Sequence, residues 1–94
     1  MEKKLMACPF CGSPPKSQEY KPRGRFYEVC CPRCGEFDIE EPFIEGGILE
    51  EYFGPRGSRL RTNASRVLGR DPEKVTTLRK PEDLMLLAAS ANEV

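Results

Sequence analysis

Histidine and tryptophan are both absent from this 94-residue chain. Without histidine it lacks the side chain that most often moves protons near neutral pH, and also the commonest nitrogen donor to metals. Any metal site must therefore be built from thiolates or carboxylates. A net charge is missing too, since fifteen Lys and Arg offset fifteen Asp and Glu. That removes the global basic field of many nucleic-acid binders and the acidic excess of disordered chains. Nor is there a long apolar run. Residues 1–7, ahead of Cys8, are too few and too polar for a signal-peptide core or a membrane span, so a reducing cytoplasm is the expected location.

What is present is short and uneven. The length suits one small domain, or a domain with an appendage, and leaves no room for a large enzymatic cleft. Charge sums to zero but is segregated: residues 36–51 carry seven acids and no base, while residues 52–70 carry five arginines and no acid. Lys16 to Tyr20 and Arg25 to Cys31 read as strands around a Lys21-Pro22-Arg23-Gly24 turn, and Phe37 and Ile39 alternate with acids as a half-buried third strand would. Pro42 limits that strand. Phe43, Ile44, Ile48, Leu49, Tyr52 and Phe53 fall at largely helical spacing, with Gly46-Gly47 weighing against a start before Ile48, and Gly54 to Gly57 then breaks the chain.

Ser58 is an N-cap for a helix through Leu68, with Leu60, Ala64, Val67 and Leu68 on its apolar face, arginines 59, 61, 66 and 70 around that face, and Gly69 at the C-cap. Asp71-Pro72 opens a loop. Pro81-Glu82-Asp83 starts a last helix, expected over about residues 81–91. The fold expected is a small α+β protein: a metal-stapled ribbon of about three strands over residues 1–41, followed by two or three short helices over residues 42–94 that pack on it or follow it.

The chemistry lies in the cysteines. Cys8-Pro9-Phe10-Cys11-Gly12 and Cys31-Pro32-Arg33-Cys34-Gly35 have 19 residues between Cys11 and Cys31, inside the spacing of four-thiolate zinc sites. Proline after the first Cys of each pair fixes a backbone angle for the curl around an ion. Glycine after the second permits the positive φ by which the chain leaves, while backbone N–H groups turn toward sulfur. Four soft ligands in a tetrahedron suit one Zn²⁺ and leave no position for water, so Cys8, Cys11, Cys31 and Cys34 are expected to hold a structural ion rather than a catalytic one. Such an ion can contribute roughly 10 to 16 kcal/mol of apparent folding free energy to a ribbon with few large apolar side chains.

Other uses of the four thiols fit less well. A disulfide framework leaves one of five cysteines over and suits an oxidising compartment. Thioredoxin-type redox chemistry uses one pair at a strand-to-helix junction, whereas two pairs flank a hairpin here. Iron in a rubredoxin-like electron carrier shares the donor set, since tetrahedral sulfur accepts either metal. Cys30 adjoins Cys31 and on a strand faces the other way; it is expected to be a buried or half-buried thiol, with a spare ligand or redox sensor as the alternative.

Residues Leu5 to Ser13, through Cys8-Pro9-Phe10-Cys11-Gly12, resemble the opening of small phage and bacterial zinc ribbons of the Lar-like (restriction alleviation) group. Tyr27 to Ile39 is similar to bacterial zinc-ribbon modules with a Cys-Pro-Arg-Cys-Gly-aromatic-x-Ile signature, in which the ribbon precedes short helices and often an effector domain. The resemblance implies a non-catalytic binding module in phage or bacterial defence or counter-defence, able to stand as a sensor or adaptor.

On that reading, the first expected partner is nucleic acid, met by Lys16, Lys21, Arg23 and Arg25 of the hairpin and Arg33 at the second knuckle. Tyr20, Phe26 and Tyr27 would be free to stack on bases if exposed; as core residues they would fill the thin ribbon instead. The alternative partner is a protein or a second copy, met by the acidic stretch or the helix faces. No catalytic residue is named, because no base is paired with a nucleophile and the acids alternate as a solvated face would.

Overall fold

The computed structural model describes residues 4–70 and 75–93. Three antiparallel strands follow the first knuckle: β1 (Ser17–Lys21), β2 (Phe26–Cys31) and β3 (Gly35–Glu40). The chain then runs through α1 (Glu41–Glu45), α2 (Ile48–Phe53) and α3 (Arg59–Leu68), returns as β4 (Thr76–Leu78) and ends in α4 (Pro81–Asn92). The sheet order is β1-β2-β3-β4, with β4 parallel to β3. Parallel neighbours need a long crossover, and the three helices between β3 and β4 provide it.

Alternation along the strands makes the sheet two-faced. Tyr27, Val29 and Cys31 of β2, Phe37 and Ile39 of β3 and Leu78 of β4 are buried. The cross-strand rows Ser17-Cys30-Glu36 and Glu19-Glu28-Asp38 form the other face, with Asp38 raised above the usual carboxylate range by burial and by Glu28. The helices cover the first face. Phe53, Ala64, Leu68, Leu84 and Leu87 join the sheet residues and the knuckle side chains Cys8 and Phe10 in one core cluster.

Two elements differ from the sequence reading. The fourth strand was expected as loop: only three residues pair, too few for period-two alternation to register, and Val75 beside them is exposed. Residues 42–53 form two short helices rather than one, split at Gly46-Gly47, where Gly47 has φ 74°. Pro42 stops the strand and sits in the first turn of α1, where its missing N–H is harmless. The N-cap at Ser58 is as read, its hydroxyl accepting from the Arg61 N–H at 3.2 Å. The loop assigned to Asp71-Pro72 lies outside the described residues.

Candidate metal centre

The four cysteines of the two knuckles converge: each offers one sulfur, and all four sulfurs lie within 4.8 Å of one another. Cys8 Sγ is 3.5 Å from Cys34 Sγ, and Cys11 Sγ is 3.4 Å from Cys31 Sγ. Metal–sulfur bonds of about 2.3 Å in a tetrahedron put sulfurs about 3.8 Å apart, so the cluster is sized for one ion. Cys8, Cys31 and Cys34 are buried and Cys11 half-buried.

Each knuckle is built alike. Gly12 and Gly35 both leave at φ 77°, a conformation that a side chain would oppose. Within the first knuckle the Gly12 N–H donates to the Cys8 carbonyl at 2.9 Å. Backbone N–H groups of Cys11 and Phe10 beside Cys8, and of Cys34 and Arg33 beside Cys31, act to lower those thiols. These donors favour thiolate. Hydrogen bonding from the Cys34 side chain lowers the Cys8 thiol to about 5. The same contact and burial push Cys34 up, and burial pushes Cys31 up. A cation among the four sulfurs would favour their thiolates.

Helix α3 lies against both knuckles; the sequence reading had helices packing on the ribbon or following it, but named none of these contacts. Ser65 Oγ is 3.0 Å from Cys34 Sγ. One turn earlier, Arg61 Nη1 donates to the Pro9 carbonyl at 2.7 Å and its Nε to the Gly54 carbonyl at 2.9 Å. Arg61 was read as one of the arginines around the apolar face; it is 4 % exposed and belongs to the inward stripe Arg61-Ala64-Ser65-Leu68. The signal was present, because those four residues recur at helical spacing. Gly69 is also needed for a different reason than a left-handed cap. Its φ is −81°, and a Cβ there would stand 2.5 Å from the Arg33 carbonyl oxygen. Close approach of α3 to the second knuckle requires the glycine.

The basic residues expected on the hairpin have diverse surroundings. Lys21 lies 3.1 Å from Glu19 and 3.4 Å from Glu28, and both raise its pKa. Arg25, at φ 52°, pairs at 3.2 Å with Glu41. Glu41 is buried, unlike the solvated acids expected for its stretch, and its N–H donates to the Arg25 carbonyl at 2.8 Å. Lys16, Arg23 and Arg33 are exposed. Tyr27 is buried against Tyr20, with ring centroids 4.9 Å apart, and the Arg79 guanidinium lies 4.2 Å over the Phe26 ring. Core filling therefore wins for Tyr27. Cys30 is half-buried on the sheet face opposite Cys31, beside Ser17 and Glu36.

The cluster can hold one metal ion with four protein ligands. Among the described residues no helix is long and apolar enough to cross a membrane. No family model, no curated protein and no solved structure matches this chain.

Proposed function

We propose that this chain is a non-catalytic binding module folded by one structural zinc ion, and that its partner is nucleic acid. The closed set of four sulfurs carries the first part, because four protein ligands leave no site for substrate or water. The resemblance of both knuckles to zinc-ribbon proteins points the same way. Metal analysis of protein purified without added metal tests it: about one zinc per chain is the expected result. An iron-loaded red protein, or a metal-free protein with this fold, overturns it.

The nucleic-acid part rests on exposed basic side chains, Arg23 and Arg33 among them, that have no carboxylate within 4.0 Å among the described residues. Met85 and Leu86, 56 % and 69 % exposed on α4, favour the second reading, a protein-interaction adaptor. Gel shifts across a salt series separate the two. Phosphate contacts release counterions and weaken steeply with salt, whereas an adaptor gives no shift at low salt and runs as a dimer or with a co-purifying protein.

A further inference from the structure

The inward side of α3 meets the knuckles through Arg61, Ser65 and the C-cap Gly69. Its outward stripe is left to solvent and is arginine-rich. Arg59 and Arg66 are exposed there with Thr62 between them, about 10.5 Å apart along the helix at 1.5 Å per residue. Arg56 precedes the helix and Arg70 follows it, both exposed. Arg33, whose carbonyl packs against Gly69, is a fifth exposed arginine, on the second knuckle.

Among the described residues none of these five has a carboxylate within 4.0 Å, and residues 52–70 contain no acid. Two hairpin cations, Lys21 and Arg25, have carboxylate partners instead. The first turn of α3 contains no acidic residue, so Arg56 and Arg59 stand by the positive end of the helix dipole. That placement costs free energy in the free protein, and an anion there would relieve it.

We propose that the outer face of α3, through Arg59 and Arg66 with Arg56 and Arg70 in the flanking chain, is the surface that contacts nucleic acid, and that it binds the phosphate backbone of a duplex. This rests on the nucleic-acid reading above and moves its surface from the hairpin to the helix. The geometry favours a duplex because the stripe holds no aromatic residue for stacking, on which single-strand binders depend. Guanidinium groups on a helix fixed at both knuckles are suited to phosphate oxygens at set spacing. The contacts would be to backbone, so sequence preference is expected to be weak.

The test uses the metal-loaded full chain and a labelled random-sequence DNA duplex, with an RNA duplex, single-stranded DNA and anionic lipid vesicles as further arms. With four phosphate contacts, affinity should fall about a hundredfold between about 50 and 200 mM salt. The double reversal Arg59→Glu/Arg66→Glu should weaken duplex binding at least about tenfold and flatten the salt slope by about two. The paired change Arg59→Lys/Arg66→Lys should retain most of it, with metal content unchanged in all variants. Lys16→Glu/Arg23→Glu should weaken binding less than the helix reversal does. If the hairpin reversal abolishes binding and the helix reversal does not, the helix assignment fails while the nucleic-acid reading survives. Tighter binding to the single strand overturns the duplex. No binding of either nucleic acid by the unaltered protein at low salt, or capture by vesicles alone, overturns both readings.

Discussion

The two knuckles repeat one sequence pattern and one backbone, yet they are secured in different ways. The second closes the β2–β3 hairpin, where Cys31 pairs with Gly35 and ladder pairing continues to Phe26 and Glu40. Among the described residues the first has no strand on its N-terminal side. It is tied by the Gln18 side chain, which bonds the Leu5 N–H and carbonyl at 2.7 Å each, by the Arg61 guanidinium on Pro9, and by Phe10. That ring packs edge-on to Phe37 and Phe53 at centroid separations of 5.6 and 5.4 Å. One knuckle is part of a sheet, and the other is attached by side chains and sulfur. A metal ion therefore has more to do for the first than for the second.

Chelation is the strongest way to break this asymmetry. A structural ion contributes about 10 to 16 kcal/mol where the fold depends on it alone, whereas here sheet and helices also share a buried core. After metal removal, amides of residues 8–13 should exchange with solvent at nearly unprotected rates. The β2–β3 ladder should keep measurable protection, because Val29, Phe37 and Ile39 remain under the helices. Hydrogen exchange read by NMR or mass spectrometry checks this. Simultaneous loss of protection in both regions would show that the ion supports the hairpin and the first knuckle equally.

Phe10→Ala sharpens the same contrast with the metal still bound. Truncating a buried phenylalanine costs about 3–5 kcal/mol, and here the cavity would open between the first knuckle, β3 and α2. Denaturant unfolding of the metal-loaded variant should show a loss of that size. Faster exchange should be confined to residues 8–13 while residues 31–35 are unaffected. An equal response of both knuckles would mean that Phe10 supports the common core rather than one half of the site.

The asymmetry also explains what could be read from the sequence. Cys-Pro-x-Cys-Gly is local, with each residue serving its own knuckle, so the metal site and the hairpin between the pairs were legible. The Ser58 cap and the Pro81 start of α4 are local for the same reason. The roles of Arg61, Ser65 and Gly69 were not, because each depends on a partner 31 or more residues away: Pro9, Cys34 and Arg33. Arg61 was misread through its charge. A guanidinium can lie on an apolar stripe when two backbone carbonyls receive its donors, and that condition appears only once the chain is folded. Glu41 was misread in the same way, since the cation that lets it be buried sits on a different turn.

The smallest expected effects come from the two α3 residues that touch different knuckles. Arg61→Ala leaves the Pro9 and Gly54 carbonyls without their donors, and unsatisfied buried polar groups cost about 1–3 kcal/mol each. Water entering the vacated space would recover part of that loss. Ser65→Ala removes a single hydrogen bond to a sulfur that keeps its position in the hairpin, a loss of about 0.5–1.5 kcal/mol. Unequal support for the knuckles then has a specific consequence. With metal bound, Arg61→Ala should speed exchange at residues 8–13, whereas Ser65→Ala should leave exchange unchanged and instead speed metal transfer to a competing chelator. The hydroxyl bond stabilises thiolate at Cys34, as its lowering effect on that otherwise raised thiol indicates. Matching exchange profiles for the two variants would mean that α3 clamps both knuckles as one body, and the difference between them would then lie in the metal bonds alone.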